Sequence, residues 1–144
     1  MSNLQALLER VEKAEGPDRV LDAAIWSAVT GHETHYPNPY MREAEGLHAY
    51  TERRGDDLSR WYPVPGLTAS IDAAVGLVER MLPGCWVDLC GPRKYLHIPT
   101  PSPNHWRGMV NAWNAQGDVV GWGATPALAL IAALLRAMIA KEQR

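Results

Sequence analysis

The 144-residue chain is long enough to bury one hydrophobic core, and a single domain over residues 1–144 is expected. With 47% apolar and 21% charged residues it falls outside the disordered class. A formal net charge of −2 gives no general affinity for nucleic acid or an anionic membrane, so neither is expected as a partner.

Six Trp and five Tyr without a single Phe bias the aromatics toward rings with a polar handle, which suits amphipathic surfaces or a stacking site. The first residues read as an amphipathic helix, so no signal peptide is expected. The apolar run near the end is interrupted at Arg136 and is too short to span a bilayer. A cytoplasmic location follows. Cys85 and Cys90 are the two cysteines; on a strand their odd spacing sends them to opposite faces, so free thiols are expected.

In chain order, Ser2 caps a first helix with Gln5 as its capping-box partner, and Leu4, Leu7, Leu8 and Val11 form the apolar stripe. Asp18 caps a second helix with Leu21, Ala24, Ile25, Ala28 and Val29 on its apolar face, closed by Gly31. Residues 31–66 read as irregular and rich in loops. They include a Pro-rich stretch after His32-Glu-Thr-His35, one short strand at Leu47–Thr51, a solvated turn at Arg53–Asp57 and an extended lead-in at Trp61–Gly66. A segment of this kind inside a compact domain is where a binding loop naturally sits.

Thr68 or Ser70 caps a third helix with Ile71, Ala74, Val75 and Val78 on one side, ending near Leu82-Pro-Gly84. The period then changes to two. Trp86–Cys90 and Lys94–Ile98 form a hairpin about Gly91-Pro-Arg93, and Trp106–Trp113 and Val119–Trp122 form another about Ala115–Asp118. Met109, Asn111 and Trp113 face one way, and Val110, Ala112 and Asn114 the other. Thr125 caps the last helix, with Pro126 at its first position, and every residue from Ala127 to Leu135 is apolar. A helix apolar on all sides is buried on more than one side. One sheet face cannot cover it, so the first two helices or a second subunit must, and a homo-oligomer is expected.

The pattern is an α+β layered domain: N-terminal helices, an antiparallel meander of about four strands, and a long apolar C-terminal helix. Leu21-Asp-Ala-Ala-Ile25 and Ile71-Asp-Ala-Ala-Val75 repeat one motif, read as two helices solving the same packing problem.

Four segments in this order carry a family resemblance: Pro17-Asp-Arg-Val-Leu-Asp-Ala-Ala-Ile25, Thr68-Ala-Ser-Ile-Asp-Ala-Ala-Val75, Pro83-Gly-Cys-Trp86 and Gly123-Ala-Thr-Pro-Ala-Leu-Ala-Leu130. The chain resembles the phage ABA-sandwich domain family of small phage and prophage proteins over nearly its whole length. That resemblance implies an α–β–α sandwich with the sheet between two helical layers, a phage or prophage origin and hence a host cytoplasm. It carries over no catalytic or binding residues, because the matching positions are scaffold.

Catalytic chemistry finds little purchase. His32 and His35 are three apart in a Pro-rich loop, where a zincin helix needs four, so no metal is expected. No Ser or Cys lies in a nucleophile elbow, and Gly121-Trp-Gly123 lacks the spacing of a phosphate loop. Glu43, Glu45, Asp56 and Asp57 read as solvated surface, and Asp22 and Asp72 as acids favoured near helix N-termini. Neither an enzyme nor a cofactor is expected.

What remains is a basic–aromatic set: Arg60-Trp61-Tyr62, Arg93-Lys94-Tyr95 and His105-Trp106-Arg107. Aromatic faces stack on bases, and Arg forks match phosphate oxygens. Converging on one sheet edge, these nine residues would hold a small anionic nucleotide, as a sponge for a host immune signal would. The alternative is an interaction module that binds a host protein through the mid-chain loop.

Overall fold

The computed structural model describes residues 3–31, 33–35, 51–54, 57–92, 105–111 and 117–143. Within them, side-chain caps set where three of the helices begin. α1 spans Asn3–Lys13. α2 (Arg19–Thr30) starts at Asp18, whose carboxylate accepts the Leu21 amide at 3.1 Å, and stops at Gly31, which takes the left-handed conformation at φ 75°. α3 (Ile71–Met81) starts at Ser70, whose hydroxyl accepts the Ala73 amide at 3.2 Å. α4 (Pro126–Glu142) starts at Thr125, which accepts the Leu128 amide at 3.2 Å.

Where one meander of about four strands was expected, the described residues hold two three-stranded antiparallel sheets. The first is β1 (Glu33–His35), β2 (Thr51–Arg54) and β3 (Asp57–Pro63), inside the segment expected to be irregular. Thr51-Glu-Arg-Arg54 contains no apolar residue, so it emits no hydropathy alternation; backbone pairing alone makes it a strand. Of the turn expected at Arg53–Asp57, Arg53 and Arg54 lie on β2 and Asp57 opens β3, with Arg54 paired to Asp57. The second sheet is β4 (Trp86–Cys90), β5 (Trp106–Asn111) and β6 (Asp118–Gly123), in that order. The strand expected at Lys94–Ile98 lies outside the described residues.

α4 packs on β5 and β6 with one side and on α1 and α3 with the other. The described layers are therefore sheet, then α4, then α1 and α3, in place of a sheet between two helical layers. The reason is the helix itself. Ten of its 17 residues are buried, so it takes the middle position, with the exposed Arg136 interrupting the buried stretch before Ala137. Of the two covers expected for it, the first two helices or a second subunit, α1 supplies part, together with α3.

The contact between α4 and the sheet is made backbone to backbone. A Cβ added to Gly108 would lie 2.6 Å from the Ala129 carbonyl, one on Gly123 would lie 2.6 Å from the Ala129 amide, and one on Gly121 would overlap the Ala133 amide. Three glycines thus turn the α4 side of β5 and β6 into a smooth floor for Ala129, Ala132 and Ala133.

α2 is held differently. Asp22 is fully buried and accepts the Thr68 amide and hydroxyl, each at 2.7 Å, and the Arg19 guanidinium at 2.8 Å. The Thr68 hydroxyl also accepts the Asp18 amide at 2.8 Å, and Arg19 donates to the Val64 carbonyl at 2.8 Å. Asp22 is thus more than an acid near a helix N-terminus. It ties α2 to the segment leading into α3, and Thr68, spent here, leaves the α3 cap to Ser70.

The repeated motif does not repeat its packing. Leu21 and Asp22 are buried, whereas Ile71, at 43% exposure, and Asp72 are exposed. α3 instead buries Ala74, Leu77 and Val78, one face further round.

Gly121→Ala is expected to cost about 3 kcal/mol, at the upper end for an overpacked site with no flexible neighbour to yield. Gly16→Ala, whose Cβ meets nothing within 4 Å, is expected to stay within about 0.5 kcal/mol. Urea unfolding of both variants checks the pair. Asp22→Ala leaves two Thr68 donors without their acceptor, while Arg19 keeps the Val64 carbonyl, and a loss of about 1–3 kcal/mol is expected in the same assay.

Candidate functional site

Alternation assigns the faces of the second sheet. Gly108, Gly121 and Gly123 face α4, so their strand neighbours Arg107, Met109, Val120 and Trp122 face away from it. Directly paired residues share a face. The outward face therefore carries three rows across β4, β5 and β6: Trp86, Asn111 and Asp118; Asp88, Met109 and Val120; Cys90, Arg107 and Trp122. Trp86 is 44% exposed. None of the apolar residues in these rows is part of the core or of the shell packed on it.

The row Cys90, Arg107 and Trp122 sets a half-buried guanidinium between a thiol and an indole. Cross-strand neighbours of this kind have Cβ atoms about 4.5–5.5 Å apart, close enough for Arg107 and Trp122 to serve one ligand. The acids sit in the other two rows, and Asp118 accepts a hydrogen bond of 2.6 Å from the Asn111 amide group.

The three basic–aromatic clusters are only partly brought together. Arg107 lies on the outward face, but Trp106 lies on the opposite one, where its ring covers Gly91; a Cβ there would meet the ring at 3.2 Å. His105 precedes β5, half-buried, and its Nδ1 has no hydrogen-bond partner among the described residues. Arg60, Trp61 and Tyr62 lie on β3, in the other sheet, with Trp61 paired to Arg53 and Tyr62 to Glu52. Arg93, Lys94 and Tyr95 lie outside the described residues, as do His32, His48, Glu43 and Glu45. The sequence reading missed Trp86 and Trp122. Trp122 was findable, since in Gly121-Trp-Gly123 the glycines face the helix and the ring must then face away.

Among the described residues, no group of three or more His, Cys, Asp or Glu side chains is placed to hold a metal, and no helix is long and apolar enough to cross a membrane. Both cysteines are free. Cys85 precedes β4 and packs against the core; burial, reinforced by the Glu79 carboxylate, pushes its thiol up. Its alkylation by iodoacetamide at about pH 8 is expected to be at least several-fold slower in the folded protein than in urea, because the thiolate is the nucleophile. Mass spectrometry of timed aliquots reads this directly.

Compared with known proteins, the chain matches no family model, no curated protein and no solved structure.

Proposed function

We propose that this is a non-enzymatic phage or prophage accessory protein that binds a small anionic nucleotide-like ligand at the Cys90–Arg107–Trp122 end of the second sheet. The observation that supports it is the side-by-side placement of Arg107 and Trp122 on a face that no described element covers. An indole offers a stacking surface for a base, and a guanidinium beside it takes the phosphate bidentately. Arg93, Lys94 and Tyr95 lie outside the described residues and residues 60–62 lie on the other sheet, so neither group enters the proposal.

The carboxylates of Asp88 and Asp118 on the same face disfavour a polyanion track and suit one discrete anion at the Arg107 end. The absence of a nucleophile elbow and of a phosphate loop in the sequence supports binding without turnover. Sequestration of a host signalling nucleotide in the host cytoplasm is the role proposed, on the family resemblance and this site together. A second reading, a module that binds a host protein, draws on the same face: Trp86 stands exposed there beyond Met109 and Val120.

The test is thermal shift with AMP, a panel of cyclic dinucleotides and cyclic ADP-ribose isomers. At least one is expected to raise the melting temperature and to be recovered intact on denaturation. Arg107→Ala and Trp122→Ala are each expected to weaken it by about 1–3 kcal/mol while the free protein melts unchanged. No shift across the panel removes this reading and leaves the protein-binding one. Recovery of a cleaved product makes the protein an enzyme.

A further inference from the structure

A cleft of about 400 Å³ opens between α1 and α2, and Thr34 of β1 also lines it. Its α2 wall is a face of small residues. The α3 positions Ala74, Leu77 and Val78 are filled and buried, whereas the matching α2 positions are Ala24, Ser27 and Ala28, small and half-exposed. Smaller side chains on the corresponding face leave a volume within the usual range of small-molecule sites, about 300–1,000 Å³.

The lining is mixed in a particular way. Ala6, Ala24 and Ala28 offer methyl groups, and Asn3, Ser27 and Thr34 offer amide and hydroxyl groups. Arg10 supplies the one cationic side chain among the described residues of the lining. Among the described arginines, Arg19 is paired with Asp22, Arg136 with Glu12, and Arg80 lies over the Trp26 ring at 5.3 Å. Arg10 has no carboxylate partner among the described residues, so its guanidinium is available to a ligand.

We infer that this cleft is a binding site for a small aliphatic monocarboxylate, distinct from the nucleotide-like ligand proposed for the sheet. One guanidinium neutralises one anion and grips a carboxylate through two parallel N–H donors. Among the described residues no aromatic ring lines the cleft to stack on a nucleobase, while the alanine methyls accommodate a short hydrocarbon body. The hydroxyls of Ser27 and Thr34 hydrogen-bond the remaining carboxylate lone pairs.

The probe is butyrate, titrated into the full-length protein and followed by amide and arginine side-chain NMR. Shifts are expected at Ala6, Ser27, Ala28 and the Arg10 Nε, with Cys90, Arg107 and Trp122 unmoved. Arg10→Met keeps the stem, sits at an exposed position and is expected to weaken binding at least about tenfold with an unchanged melting temperature. Ser27→Leu, which installs the residue that α3 carries at the matching position, is expected to fill the cleft and remove the shifts. Butyrate that leaves the cleft amides unmoved, or binds Arg10→Met equally well, overturns the inference. Inorganic phosphate shifting the same amides as strongly as butyrate overturns the aliphatic assignment.

Discussion

The direct contact of backbone with backbone between α4 and the second sheet is the constraint on which the remaining structure depends. Gly108, Gly121 and Gly123 remove the side chains that would hold helix and strands apart where they meet, and Ala129, Ala132 and Ala133 do the same from the helix. So close an approach brings many atoms to van der Waals distance at once, and it cannot relax when a single methyl is added. It also frees the larger residues of α4. Leu128, Leu130, Ile131, Leu134 and Leu135 are fully buried, and they fill the space toward α1, α3 and the sheet flanks. The same constraint dictates what faces outward. With glycines on either side turned to the helix, Trp122 has only the open face available.

A second kind of constraint acts on α2. Its anchor is polar: a buried carboxylate that two Thr68 donors, the Arg19 guanidinium and the helix N-terminus together satisfy. A buried charge with this many partners fixes position and register more than it adds net stability, because its desolvation offsets most of the gain. Held at its start by that node and covered on one edge by Arg80 over Trp26, α2 packs Ala24 and Ala28 only partly against the core and leaves them, with Ser27, along the cleft. That is how a helix in a small domain comes to border a cleft.

The sequence was most legible where structure is local. The caps at Asp18 and Thr125, the Gly31 stop and the α1 stripe of Leu4, Leu7, Leu8 and Val11 each depend on a few neighbouring residues. Opposite faces for Met109 and Val110 were legible for the same reason. The first sheet was not, because Thr51–Arg54 is a strand by pairing and carries no hydropathy signal. Equivalence of the two Asp-Ala-Ala helices was misread, since identical residues at a helix start do not say which face meets the core. The His105-Trp106-Arg107 cluster was read as one unit from adjacency, although alternation on a strand separates Trp106 from Arg107. Applied there as it was to Met109 and Val110, the period of two would have paired Arg107 with Trp122 instead.

As proposed, the sheet end and the helix cleft would divide recognition between them by chemistry. Arg107 would work beside an indole on a sheet face, where affinity for an anion depends on stacking to exclude water from one side of the guanidinium. Arg10 borders a concavity, where methyl groups limit hydration and shape does the selecting. With two carboxylates on the sheet face and a net charge of −2, long-range attraction for anions is weak. Recognition at either place must then come from short-range geometry, which a stiff Gly–Ala seam behind the sheet and a buried Asp22 node beside the cleft are well suited to hold.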